Sequence, residues 1–299
     1  MTDRLRIAKE DIERTFSQGP VVLTEAALRD IVREHRKFWR LSDRETLRVF
    51  IDFMLEKSRL QRVHVALPRR PIIGYTWGEG APIMESLLQL VPGSYYSHYT
   101  AMRLHGLTEQ VPKTLYLSKE KRRGSVRNEY NVNSWSQEEI DASFSKEPRQ
   151  SSNYADVPEE GVRVVLLDAM EYHGVGIISD KVNLGGKRPL DLRFTSLERT
   201  FIDIVIRPIY AGGIFEVAKA FEVAKGRLSV NAMNALYKKL SPYFPYHQAI
   251  GFYLERAGYK SSLIELFRRY PMNHDFYIVH GMGKTSYNER WKLYIPDGF

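Results

Sequence analysis

The sequence predicts an α+β chain: three short helices and a two-stranded hairpin, followed by a larger mixed α/β region with a helical C-terminal portion. Three observations carry this. Apolar residues recur at helical spacing in the first sixty residues. Two S/T-x-x-E capping signals mark helix starts, at Ser42–Glu45 and Thr195–Glu198. Alternating apolar runs flank Pro- and Gly-rich turns.

At 299 residues the chain is long enough for two domains, expected at 1–80 and 81–299. It has no cysteine, which excludes disulfides, thiolate catalysis and Cys-type zinc sites and fits a reducing, cytoplasmic setting. No window approaches the ~18 apolar residues of a membrane helix, and "MTDRLRIAKEDIERTF" lacks the apolar core of a secretory signal. The net charge of +8 is uneven. Met1–Arg123 holds 22 Lys+Arg and 15 Asp+Glu (+7), and Gly124–Phe299 holds 22 and 21 (+1). A basic N-terminal part points to nucleic acid or another anionic partner; a solvated basic surface is the plain alternative.

"IAKEDIERTF" carries a helical stripe through Ile7, Ala8, Ile12 and Phe16. "VVL" reads as a short strand. "TEAALRDIVREH" opens on Thr24 as N-cap and buries Ala27, Leu28, Ile31 and Val32. After the basic connector "RKFWRLS", the box at Ser42 and Glu45 predicts a third helix with Leu47, Phe50, Ile51, Met54 and Leu55 inward and Arg44 and Arg48 on another face. Val63, Val65 and Leu67, then Ile73, Tyr75 and Trp77, alternate around the turn Pro68-Arg69-Arg70-Pro71. Three helices and a basic-tipped hairpin are the order of a winged helix-turn-helix. Its third helix can enter a major groove. Arg40, Ser42, Arg44, Arg48, Arg69 and Arg70 are the expected DNA-binding residues.

"APIMESLLQL" predicts a helix ending at Pro92-Gly93. In "SYYSHYTAMRLHGLTEQVPKTLYLS", Ser97 is placed to cap a short helix, Gly106 to end it, and "KTLYLS" to form a strand. "KEKRRG" follows as a second basic patch in a hairpin loop. Lys119, Lys121, Arg122 and Arg123 there are expected to extend the DNA footprint. His98 and His105, seven apart, lack the third ligand that a zinc site needs, so structural roles are expected. Residues 136–160 read as a polar loop with at most one short helix. "VRVVLLDAMEY" is strongly apolar, and "NLGGK" turns a hairpin between "GVGIISDKV" and "RPLDLRFTS".

In "TSLERTFIDIVIRPIYAGG", Thr195 and Glu198 form the second box, Arg199 and Asp203 an i,i+4 pair, Pro208 a stop, and Gly212-Gly213 a turn. Helices are expected up to Gly226, over 230–240, 246–258 and 261–270, and two strands, "FYIVHG" and "RWKLYIP", close the chain. "GMGKTS" fails as a phosphate loop, because Ile278 stands where the pattern needs glycine.

These passages resemble the AbiEi-type antitoxins, transcriptional regulators of bacterial type IV toxin–antitoxin and abortive-infection systems. "YYSHYTAMRLHGLTEQVPKTLYLS" matches the family's Ser-His-x-x-Ala…Leu-His-Gly-Leu segment through Ser97, His98, His105 and Gly106. "TSLERTFIDIVIRPIYAGGIFEV" matches its Ser-x-Glu-Arg-Thr-x-x-Asp…Gly-Gly element through Ser196, Glu198, Arg199, Asp203, Gly212 and Gly213. "YHQAIGFYLERAGY" is a weaker third match. The resemblance implies a winged-helix domain followed by an antitoxin domain. It also implies repression of the protein's own operon at promoter repeats, and neutralisation of a separately encoded nucleotidyltransferase-like toxin, with or without direct binding. Neither catalysis, a cofactor, a metal nor a membrane is implied.

Two alternatives stay open. One is a DNA-binding regulator with a ligand- or partner-sensing C-terminal domain and no toxin link. The other is a DNA-binding module fused to a nuclease, although no Asp or Glu has Lys two residues on; Asp191-Leu-Arg193 comes nearest.

Overall fold

The computed structural model describes residues 3–121 and 135–299. The chain is α+β and forms two compact units, 1–93 with 153–161, and 94–152 with 162–299. The expected boundary at residue 80 therefore moves to 93, and a short later segment returns to the first unit.

In the first unit, α1 (Asp3–Ile7) and α2 (Lys9–Gln18) precede β1 (Val22–Leu23), α3 (Glu25–His35), α4 (Leu47–Lys57), β2 (Leu60–Val65), β3 (Ile72–Trp77) and α5 (Ile83–Leu90). The expected first helix is thus two short ones. The sheet order is β1-β3-β2, all antiparallel, with Leu60 opposite Trp77 and Val65 opposite Ile72. Helix, strand, two helices and a hairpin make this a winged-helix arrangement. Its core is aromatic: Phe16 packs on Phe50 (6.1 Å between centroids) and Trp77 (5.2 Å), and Trp39 stacks on Phe50 (5.8 Å).

Helix α5 belongs here for a steric reason. A Cβ on Gly74, in the central strand, would lie 2.1 Å from a Leu90 methyl, so the missing side chain is what lets Leu90 close on the sheet.

The second unit begins with β4 (Ser94–Tyr96), α6 (His98–Leu104) and β5 (Thr114–Lys121). After α7 (Gln137–Phe144), the strand β6 (Tyr154–Val157) belongs to the first unit. The second unit resumes with β7 (Val162–Met170), β8 (Ile177–Val182), β9 (Leu190–Thr195) and α8 (Leu197–Ile206). Its strands run β7-β5-β4-β9-β8, with β5/β7 and β4/β9 parallel, and β4/β5 and β8/β9 antiparallel.

Helices α9 (Ile214–Val223), α10 (Val230–Leu240), α11 (His247–Arg256) and α12 (Ser261–Arg268) then pack on one another. The chain closes with β10 (Phe276–Tyr277), β11 (Thr285–Asn288) and β12 (Leu293–Pro296), in the order β10-β12-β11. The strand β11 was not expected. Among the described residues, no helix is long and apolar enough to cross a membrane.

The helical core closes around fully buried Trp291, whose indole N–H donates to Glu255 Oε2 at 2.6 Å. Its ring lies on Gly251 of α11, where a Cβ would sit 2.0 Å from ring carbon. Helix propensity alone favours Ala over Gly by about 1 kcal/mol. The collision opposes this, since overpacking costs about 1–3 kcal/mol or more. Gly251→Ala should therefore destabilise the protein by about 1–2 kcal/mol in chemical denaturation; a gain in stability would contradict this packing.

Candidate nucleic-acid interface

The surface around α4 is built differently from the expectation, and the difference is informative. Helix α3 starts as predicted, with Thr24 Oγ1 accepting from the Ala27 amide at 3.1 Å. Past its end, the turns continue through Trp39. The Leu41 amide donates to Arg36 O and the Arg40 amide to Lys37 O. This is a Schellman closure, in which the left-handed position is normally glycine. Here it is Arg40, with φ +53° and an exposed side chain. An L-residue there costs about 1 kcal/mol relative to glycine.

Residues Ser42–Glu45 do not start the third helix. Glu45 is 1% exposed, and its Oε2 accepts from the Ser42 amide (2.6 Å) and hydroxyl (2.5 Å). The acid thus reaches back as a capping box requires. The Ser42 hydroxyl turns to the carboxylate instead of accepting from the Glu45 amide, so the box closes a separate turn. The guanidinium of Arg36 straps the turn, donating to Ser42 O (2.6 Å) and Glu45 O (2.9 Å). Helix α4 then begins at Leu47, capped by Thr46 Oγ1 accepting from the Val49 amide at 3.4 Å.

As a result Arg44 lies in the connector and Arg48 in the first turn of α4, so the two do not share a helix face as expected. Both are exposed; Arg48 approaches Asp52 at 3.9 Å in an open i,i+4 pair worth a few tenths of a kcal/mol. Arg69 and Arg70 are exposed at the hairpin tip, and the Arg69 amide donates to the buried Asn153 side chain of the returning segment at 3.4 Å. Other arginines of this unit are fixed in place. Arg59 lies over the Trp77 ring (5.2 Å) and donates to Ser17, and Arg62 lies over Tyr75 (6.0 Å).

The second basic patch belongs to the other unit. Lys119 and Lys121 are exposed residues of strand β5, not of a hairpin loop, because β7 pairs in register as far as Lys121 opposite Met170. Lys121 Nζ lies 2.6 Å from Asp168, which offsets its charge. Arg122 and Arg123 lie outside the described residues.

The motif residues of the second unit are joints. Ser97 stands at the start of α6 without capping it. Its hydroxyl meets Ser118 Oγ (2.6 Å) and His98 Nδ1 (2.8 Å) instead. His98, at φ +51°, sits among Tyr116 and Tyr210, and burial lowers its pKa to about 4. His105 Nε2 donates to Thr195 O at 2.8 Å, its pKa lowered chiefly by burial. Among the described residues no group of His, Asp and Glu could hold a metal. Gly106 ends α6 at φ +65°, as expected, with the Leu107 amide on Met102 O.

The second capping box is shifted by one residue. Ser196 caps α8, accepting from the Arg199 amide at 3.2 Å, while Thr195 Oγ1 bonds Thr200. Glu198 instead accepts from the Ser229 amide at the start of α10, at 3.4 Å.

Arg199 is 4% exposed. It donates to Asp203 Oδ1 (2.7 Å) and Val175 O (2.8 Å) and lies over Tyr172 (5.1 Å). Gly212 and Gly213 hold φ +80° and +93°; a Cβ on Gly212 would strike Glu216 at 2.9 Å. Elsewhere in this unit a cavity of about 240 Å³ is lined by Trp135, Tyr237, Lys238, His247, Tyr270 and His274, among others. No spacing signal marks those residues in the sequence.

No protein-family model matches the chain, and no curated protein matches it. Among solved structures it is similar to the RV2827C protein from Mycobacterium tuberculosis, with a TM-score of 0.59 at 14% identity, over 96% of this chain and 91% of that one. At that identity the likeness shows the fold alone.

The Arg199–Asp203 pair yields a test. Removing one partner of a buried pair strands the other charge, at a cost of about 3–5 kcal/mol, whereas replacing both by apolar groups is often nearly neutral. Asp203→Asn should therefore lower the unfolding free energy by about 3 kcal/mol, and Arg199→Met with Asp203→Leu should recover much of it. A single-variant loss below about 0.5 kcal/mol, the size of an exposed pair, would contradict the buried geometry.

Proposed function

We propose that the protein is a double-stranded-DNA-binding autorepressor and antitoxin. The observation that supports DNA binding most directly is the set of exposed arginines on one winged-helix unit. Arg40 and Arg44 lie on the connector, Arg48 in the first turn of α4, and Arg69 and Arg70 at the hairpin tip. On this reading α4 enters the major groove by its N-terminal turn. The arginines there divide between phosphates and a guanine edge, and the tip lies on backbone or minor groove. Arg40 adds an argument from strain: a charged side chain occupies a position that glycine fills at lower cost, and such outliers collect at functional sites.

The antitoxin half rests on the resemblance of the Ser97–Gly106 and Ser196–Gly213 segments. On this reading those residues hold the second unit together. The protein acts in the bacterial cytoplasm on operator repeats in its own promoter, and opposes a separately encoded nucleotidyltransferase-like toxin. It needs no catalytic residue and no cofactor.

One observation favours a second reading, a DNA-binding regulator that senses a small molecule. The cavity beside Trp135 and Tyr270 has aromatic walls and, among the described residues, one lysine, Lys238. Co-expression with the neighbouring gene separates the two, because only an antitoxin rescues growth while repressing the promoter.

Gel shifts with the protein's own promoter DNA test the common part. Wild-type affinity should fall steeply with salt, by a power set by the phosphates contacted. Arg44→Ala with Arg48→Ala should weaken binding about tenfold or more. Unchanged affinity in the double variant would remove this face from the interface, and a flat salt response would remove phosphate contact altogether.

A further inference from the structure

We propose that Val49 is a specificity-determining residue that reads the methyl group of a thymine beside the base pair met by Arg48. This rests on the DNA-binding reading and adds to it a chemical identity for one base. The later start of α4 decides which side chains face outward. Phe50, Ile51, Phe53 and Met54 are buried, and Arg48, Val49, Asp52, Glu56 and Lys57 are the exposed residues. Asp52 and Glu56 lie one and two turns further along. Asp52 lies 3.9 Å from Arg48 and Glu56 pairs with Lys57 at 2.7 Å, so the charges beyond the first turn are offset along the helix itself.

In that turn the outward residues are Arg48, exposed over 92% of its side chain, and Val49, 39% exposed. Single exposed apolar residues are common and by themselves mean nothing. Val49 differs in its company. It stands just after the cap Thr46, close in sequence to the exposed cations Arg44 and Arg48. A β-branched residue there adds no helix propensity, and the part of Val49 that stays exposed gains nothing from burial. On the base edges of the major groove, the apolar feature is the thymine C5 methyl, and an aliphatic side chain is its usual partner. An arginine and a valine side by side therefore match a guanine next to a thymine.

The test needs a duplex and not a known operator. Random double-stranded DNA is enriched on the full-length protein, and the most enriched duplex is remade with uracil replacing thymine one position at a time, which removes only the methyl. Wild-type protein should lose about fourfold in affinity at one such position, the value of one buried methyl group. Val49→Ala should bind the thymine and uracil forms equally there, and should match wild type on the uracil form. A wild type indifferent to every uracil overturns the inference while leaving DNA binding intact. So does a Val49→Ala protein that still discriminates. If no duplex is bound better than random DNA, the DNA-binding reading itself fails and the inference falls with it.

Discussion

The geometry of the basic face depends on a carboxylate kept away from water. Glu45 accepts two hydrogen bonds from Ser42, and Arg36 ties the two carbonyls of the same turn. A buried carboxyl group is costly unless it is hydrogen-bonded, and the Ser42 amide and hydroxyl supply those bonds. That arrangement delays α4 to Leu47, moves Arg44 off the helix and sets Arg48 and Val49 at its leading edge. Below it, Trp39 packs on Phe50 and couples the connector to the core through an aromatic stack. The exposed arginines thus stand on a preformed support, which on the proposed reading would lower the ordering cost of binding DNA.

The second unit follows the same logic with a buried ion pair. Arg199 joins α8 to the chain at Val175 through one guanidinium and meets Asp203 with another edge. His105 and Glu198 make further ties, to Thr195 and to the start of α10. These contacts explain the density of polar residues in "TSLERTFIDIVIRPIYAGG" as joinery: each satisfies a backbone group or a charge that packing removes from water. Trp291, whose indole N–H donates to Glu255, and Gln248, which donates to the carbonyls of His274, Trp291 and Lys292, do the same for the final strands.

Much of this was legible from residue patterns. The apolar stripes located most helices, and the alternation around Pro68–Pro71 located the hairpin. Gly106 and Gly212-Gly213 were read correctly because positive φ leaves glycine few competitors. The misplaced helix starts share one cause. A Ser/Thr-x-x-Glu pattern states that the side chains can meet, not which backbone amides remain unpaired. At Ser42 the box closed an isolated turn, and at Thr195 the neighbouring Ser196 took the cap. The same pattern at Ser136–Glu139 forms a complete box and starts α7, the one short helix that the polar stretch 136–160 allowed. The domain boundary was missed because Gly74 and Leu90 meet across the fold, and the return of residues 153–161 leaves no local mark. Arg36 was invisible as a strap, since its partners are carbonyls and carry no side-chain signature.

The central claim is that the connector, the first turn of α4 and the hairpin tip together form the DNA-contacting face. Amide hydrogen exchange of the full-length protein, with and without a saturating duplex at low salt, tests it directly. The account predicts added protection concentrated in residues 36–49 and 66–71, lost again at high salt as phosphate contacts are screened. Protection confined to the second unit, or none at either segment while DNA is bound, would contradict it.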